Sequence, residues 1–247
     1  MSAVNPIAFV RCPACERLLR RILVIPISLL NLNSGTDASG KPSAVHKAIL
    51  VDVDGVLVTH PNSGGWSANL ENDLGILPAA LQEVFFRRHW DDVVHGRAPL
   101  RGRLALALAE LAPSVSPGAL IEYWFDNDAH IDERLLAELR LLRQAGFELH
   151  LATVQEHERA AYLWDRLALR DSFDGMHYAA ALGHSKPDHA FYRAVTAAVH
   201  IEPEAIFFID DKIDNVEAAR ACGWVAALWT GESTVIELMH MMQWESS

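Results

Sequence analysis

Asp52 and Asp54 close the apolar run Ala48-Ile49-Leu50-Val51, one residue apart, and Gly55 follows them. The run has the composition of a buried strand. Alternation along a strand puts both carboxylates on the same side. Two carboxylates at the carboxyl end of a central strand suit one hard cation and one acid/base pair. The chemistry they imply is metal-assisted phosphoryl transfer rather than simple binding. Three more features stand at or near the ends of other predicted strands, or in loops beside them. They are Thr153 after Leu151-Ala152, Lys186 in Ser185-Lys186-Pro187-Asp188, and the acidic pair Asp210-Asp211 after Ile206-Phe207-Phe208-Ile209. Each has an ordinary explanation alone, as a helix cap, a backbone-bonding hydroxyl or a solvated lysine. Adjacent ionised carboxylates behind an apolar strand repel each other unless a cation or strong donors compensate.

The elements that must position these residues follow from periodicity. After the first strand, His60-Pro61-Asn62-Ser63-Gly64-Gly65 reads as a loop. Residues from about 66 to 128 read as mostly helical, with Leu104, Ala107, Leu108 and Leu111 at i, i+3, i+4, i+7 spacing. From Asp132 onward helices and strands alternate. A helix carrying Leu135, Leu136, Leu139 and Leu142 ends at Gly146. Strands are predicted at 147–152, 176–178, 205–209 and 225–229, and helices at 156–169, 188–199 and 215–222. Repeated strand–helix units imply α/β architecture: a doubly wound parallel sheet with helices on both faces and a small all-helical insert.

The chain has 247 residues and 51% hydrophobic content, enough for one large core plus a small inserted domain. Its net charge of −11, without a basic block, argues against nucleic acid or an anionic membrane as partner. A bound cation can still reverse the field locally for an anionic substrate. Three cysteines, Cys12, Cys15 and Cys222, do not form a disulfide scaffold. Cys12-Pro-Ala-Cys15 has the spacing of half a zinc site, but no second Cys/His pair follows it. Residues 22–30 are apolar behind Arg17, Arg20 and Arg21, in the order of a signal peptide, yet too short to span a bilayer. The expectation is a poorly ordered extension over 1–46 and a cytoplasmic protein.

In order and context these motifs resemble those of the haloacid dehalogenase (HAD) superfamily, over about residues 47 to 230. The first is Asp52-Val53-Asp54-Gly55-Val56, the second Leu151-Ala152-Thr153, and the third Lys186-Pro187. The fourth is Asp210-Asp211, continued by Asp214-Asn215 and Gly223. The resemblance implies a Rossmann-like core at 47–60 and 129–235, a helical cap at 61–128 and a tail at 236–247. It implies Asp52 as nucleophile, Asp54 as acid and base, Thr153 as donor to a phosphoryl oxygen and Lys186 as charge balance. It also implies Mg²⁺ held by the Asp52 side chain, the Asp54 carbonyl and the Asp211 side chain. Asp210 and Asn215 then stand behind the metal ligands.

The activity expected is Mg²⁺-dependent hydrolysis of a small phosphomonoester through an aspartyl-phosphate. The partner expected is a small phosphorylated metabolite, and the protein a monomer or homodimer. A phosphomutase of the same superfamily and a catalytically silent binding protein are the alternatives. Asp54 and Asp211 argue against dehalogenation, which needs neither a metal nor an acid for the leaving group. One departure is Val154, where relatives commonly carry Asn after the second motif. Specificity is expected in the cap. There Arg87 and Arg88 could meet an anion or remain solvated, and Phe86 and Trp90 could simply pack. Gly64-Gly65 and the stretch around Asn127-Asp128 are the expected hinges.

Overall fold

Ala48–Val51, β1, has no exposed surface on either face, which is why its sequence is a continuous apolar run rather than an alternating one. It pairs in parallel with β2 (Glu148–Thr153) on one side, Val51 facing Leu151, and with a later strand on the other, Val51 facing Ile209. β3 (Gly175–Tyr178) lies outside β2. β4 (Ile206–Asp210) is the later strand beside β1, and β5 (Val225–Leu228) closes that side. The five-stranded order is β3-β2-β1-β4-β5. The chain builds outward from β1 to β3, then returns to build the other side. Neighbouring β1 and β4 therefore flank the switch point where α/β sheets open a crevice at their carboxyl ends.

The computed structural model describes residues 46–60 and 64–244, and the backbone pairing of Gly35–Thr36 with Pro42–Ser43. Residues 1–44 and 45–245 are two separate units. Cys12, Cys15 and the apolar run 22–30 lie outside the described residues, so the zinc and leader readings fall there too. Among the described residues, no helix is long and apolar enough to cross a membrane.

Between β1 and β2 the chain forms α1 (Leu70–Leu74), α2 (Pro78–Leu81), a π turn (Gln82–Phe86), α3 (Arg87–Val94), α4 (Leu100–Leu111) and α5 (Pro117–Asn127). Ser116 starts α5, its hydroxyl accepting from Ala119 N–H at 3.1 Å with Pro117 in the first turn. Leu104, Ala107 and Leu108 face a core with Leu70, Phe85, Leu120 and Phe125. The aromatics are packing: Trp66 stacks on Trp124 at 5.0 Å, and Trp90 meets both Phe86 and Trp124. The segments joining this helical domain to the sheet are bonded to each other. Thr59 N–H donates to His130 O at 2.9 Å and Asp132 N–H to Leu57 O at 2.8 Å.

The remaining helices cover the sheet: α6 (Glu133–Gln144), α7 (His157–Ala161), α8 (Ala179–Leu182), α9 (His189–Val199), α10 (Ile213–Ala221) and α11 (Val235–Met241). Asp132 caps α6, and Gly146, at φ 104°, turns the chain into β2. The single helix predicted over 156–169 is a correction. It is α7, then a π turn over Tyr162–Arg166 and a 3-10 turn over Leu169–Asp171, with Ala168 left-handed. The wider turn starts where Tyr162 packs on Phe125 at 5.3 Å and donates to Asp126, so cross-domain contacts override helix periodicity. Residues expected as a tail include α11, opened by a Thr234/Glu237 capping box, and Trp244, which is buried against Phe147 and Phe207.

Candidate active site

Asp52 is the first residue past β1. Its N–H still donates to Ile209 O at 3.0 Å, so the ladder holds the nucleophile candidate in place. Gly55, at φ 84°, then allows a tight loop in which Gly55 N–H donates to Val58 O and Val58 N–H to Val53 O. Thr153 ends β2 and is fully buried. Asp210 ends β4 and Asp211 follows it. All of these residues gather at the carboxyl ends of β1, β2 and β4.

Lys186 arrives from the loop before α9. Its ammonium is completely buried, 2.6 Å from Asp210 Oδ2 and 2.9 Å from Asp52 Oδ1. Burial alone lowers its affinity for a proton, but Asp52 and Asp210 outweigh that and hold it above its ordinary value. Asp210 is saturated: Oδ1 accepts from Lys212 N–H and Asn215 Nδ2, and Oδ2 from Lys186 and Asn215. Asp211 differs. Its Oδ1 is buried with no hydrogen-bond partner among the described residues, as is Asp54 Oδ1.

Asp52, Asp210 and Asp211 each offer an oxygen within 4.8 Å of the others. Burial pushes the Asp52 carboxyl up to about 7, with Asp210 and Asp54 adding to the rise and Lys186 opposing it. Burial also raises Asp211, and Asp210 adds to it. Three carboxylates meet one buried ammonium, Lys186, while the exposed Lys212 also lowers Asp211. The donors are all oxygen, and one is orphaned. That set fits a hard divalent cation, for which Asp52 and Asp211 have free capacity and Asp210 has none left.

Three residues that sequence reasoning missed, Gln155, Glu156 and Arg159, belong to this neighbourhood, together with His60 and with Asp128 from the expected hinge. Gln155, nearly fully buried, donates from Nε2 to Asp54 Oδ2 at 2.7 Å. Glu156 caps α7, accepting from the N–H groups of Glu158 and Arg159. Arg159, 2% exposed, donates to Phe125 O at 3.1 Å and to Asp128 O, with the Asp128 carboxylate 3.4 Å away. Burial raises Asp128 to about 6, Arg159 opposes that, and the charge of Asp54 adds to it. The other oxygen of Asp128 is 3.0 Å from His60 Nε2. His60 also lines a cavity of about 310 Å³ with Trp66, Asn69, Asp126, Asn127 and His130. The one available signal was a polar residue in an otherwise buried stretch, and nothing local marks its distant partner.

Other candidates stand apart. Arg87 pairs with Glu83 and Arg88 with Glu110, both on exposed surface. His157 and His184 are exposed, beside Tyr178 and Asp188. Cys222 is partly buried against α9, 3.9 Å from His189 O.

Comparison with known proteins places the sequence and the fold. Residues 46–223 match the haloacid dehalogenase-like hydrolase family. The chain is 29% identical over 208 residues to a sesquiterpene phosphatase, astK, of Aspergillus oryzae, covering 79% of this chain and 96% of that one. It is 27% identical over 195 residues to a phosphoglycolate phosphatase of Pseudomonas putida, covering 74% and 68%. Its fold is similar to that of an HAD family enzyme from Bacteroides thetaiotaomicron, solved with magnesium and inorganic phosphate. The TM-score is 0.64 at 18% identity, covering 78% of this chain and 98% of that one. With the family matched over residues 46–223, which hold β1 to β4 and every motif, the chain belongs to the haloacid dehalogenase-like hydrolases.

Proposed function

We propose that the protein is a Mg²⁺-dependent phosphatase for a small phosphomonoester. The observation that carries this reading is the cluster of Asp52, Asp210 and Asp211 around the buried ammonium of Lys186, with one Asp211 oxygen left unpartnered among the described residues. Relatives named as phosphatases and a magnesium-bearing structure of the same fold support it.

Asp52 and Asp211 side chains and the Asp54 carbonyl would hold the metal, which when bound supplies positive charge for the phosphoryl oxygens. Lys186 adds its own charge and keeps Asp52 oriented. A carboxylate oxygen of Asp52 bonds to phosphorus as the bond to the leaving oxygen breaks, and protonated Asp54 gives that oxygen its proton. The Thr153 hydroxyl donates to a phosphoryl oxygen. Asp54 then takes a proton from water, whose oxygen bonds to phosphorus as the bond to Asp52 breaks. Inorganic phosphate leaves, and both aspartates return to their starting states.

The test is hydrolysis of p-nitrophenyl phosphate with Mg²⁺ and with EDTA, beside Asp52→Asn. Turnover lost on removing either the metal or the Asp52 carboxylate is expected. Equal rates in all three samples overturn the assignment.

A further inference from the structure

Asp54 has two oxygens in different surroundings. Oδ2 accepts the Gln155 amide at 2.7 Å, while Oδ1 is buried with no hydrogen-bond partner among the described residues. An amide N–H cannot face a carboxyl O–H, since both are donors. With Nε2 donating, Oδ2 is the acceptor and a proton on Asp54 belongs on Oδ1. The amide is aimed by the backbone: Gln155 O accepts from Ala180 N–H at 3.1 Å, a bond independent of the side chain. Gln155 Nε2 also lies 3.5 Å from Thr153 Oγ1, at the far limit of a hydrogen bond, so Asp54 is its principal partner.

We infer that Gln155 is the positioning residue of the acid step: it holds the Asp54 carboxyl in one rotamer and one protonation geometry, with the proton-bearing oxygen turned to the leaving group. This rests on the phosphatase reading. It also gives Val154 a context, because the side-chain amide near the second motif is supplied one residue later and is spent on the acid rather than on phosphate. Without the amide, the proton can sit on either oxygen and the carboxyl can rotate, so fewer encounters present the acid correctly. The cost must then depend on how much the leaving oxygen needs a proton. A general packing defect carries no such dependence.

The test compares kcat/KM for p-nitrophenyl phosphate and phenyl phosphate, which are similar in shape but differ in leaving-group basicity, using the full chain with Mg²⁺. Gln155→Met keeps length and volume and removes the donor. It should lose about tenfold or more on phenyl phosphate and less than about threefold on p-nitrophenyl phosphate. Gln155→Glu keeps the length but removes the amide donor, and should show the same selective loss on phenyl phosphate. Equal losses on both substrates, or no loss, overturn the inference while leaving the phosphatase intact. Should Gln155→Met fail to fold by thermal unfolding, Gln155→Glu decides, and equal losses on both substrates in that variant overturn it. Wild-type protein silent on both substrates overturns the phosphatase reading and this inference with it.

Discussion

Gly55 and Asp211 are in contact because Gly55 has no side chain: a Cβ there would lie 2.7 Å from the Asp211 carboxyl carbon. The loop after the first strand thus sets how closely the two acidic segments approach. Gly55→Ala adds strain at φ 84° of about 1–2 kcal/mol and pushes Asp211 away from Asp52. The Mg²⁺ concentration for half-maximal activity should rise about tenfold or more, against a modest fall in Tm. An unchanged metal requirement would show that Asp211 does not need this approach.

Asp210 and Asp211 should respond oppositely to the same change. Asp210→Asn faces donors on every side and strips a partner from buried Lys186, so thermal unfolding without metal should show a loss of about 3–5 kcal/mol. Asp211→Asn removes a repelled carboxylate whose Oδ1 has no partner among the described residues. It should leave metal-free stability unchanged or higher while raising the Mg²⁺ requirement sharply. If the two variants trade these effects, Asp210 is the direct ligand.

Arg159 reaches from the sheet domain to donate to the Phe125 and Asp128 carbonyls, and it faces the Asp128 carboxylate. Arg159→Met strips a donor from both carbonyls and a cation from a largely buried carboxylate, at a cost of about 3 kcal/mol. Hydrogen exchange over residues 125–132 should accelerate more than exchange in β1 or β4. Uniform acceleration throughout would mean that the contact stabilises the fold without holding this segment.

Glu138 lies under the last helix, its Oε1 accepting Ile236 N–H at 3.1 Å, and burial pushes its carboxyl from 4.5 up to about 7. Between those values the folded chain keeps a proton that the unfolded chain has released. Its contribution is therefore fully present below pH 4.5, falls as pH rises through that window, and levels off above about 7. The fall is up to roughly 3 kcal/mol. Glu138→Gln should flatten the dependence of Tm on pH in that range, and an equally steep slope in the variant would assign it to other groups.

Strands with both faces covered are legible because burial demands unbroken apolar runs, and residues such as Asp52, Thr153 and Asp210 stand out by ending them. Gln155 and Arg159 were not legible in this way. Their meaning lies in partners far along the chain, Asp54, Phe125 and Asp128, and Arg159 sits in a segment whose polar pattern suits a solvated helix face. Tyr162 likewise meets Phe125 and Asp126 from the distant helical domain, where the helix widens to a π turn over 162–166. Trp244 gave no signal because one aromatic in a short polar ending carries no period. Arg87 and Arg88 were ambiguous by composition, and their acidic neighbours account for them.

The bonds from Thr59 to His130 and from Asp132 to Leu57 bring the two ends of the helical domain to one spot. Topologically, residues 60–129 are an excursion that departs from and returns to the same address on the sheet. A short turn can bridge that gap, so the excursion can be shortened, lengthened or exchanged wholesale without re-registering β1 against β2. Asp52 and its neighbours sit on the side that such an exchange leaves alone. Under the proposed function, changes in what the protein accepts can therefore accumulate in one replaceable cassette while the residues proposed to react are inherited unchanged.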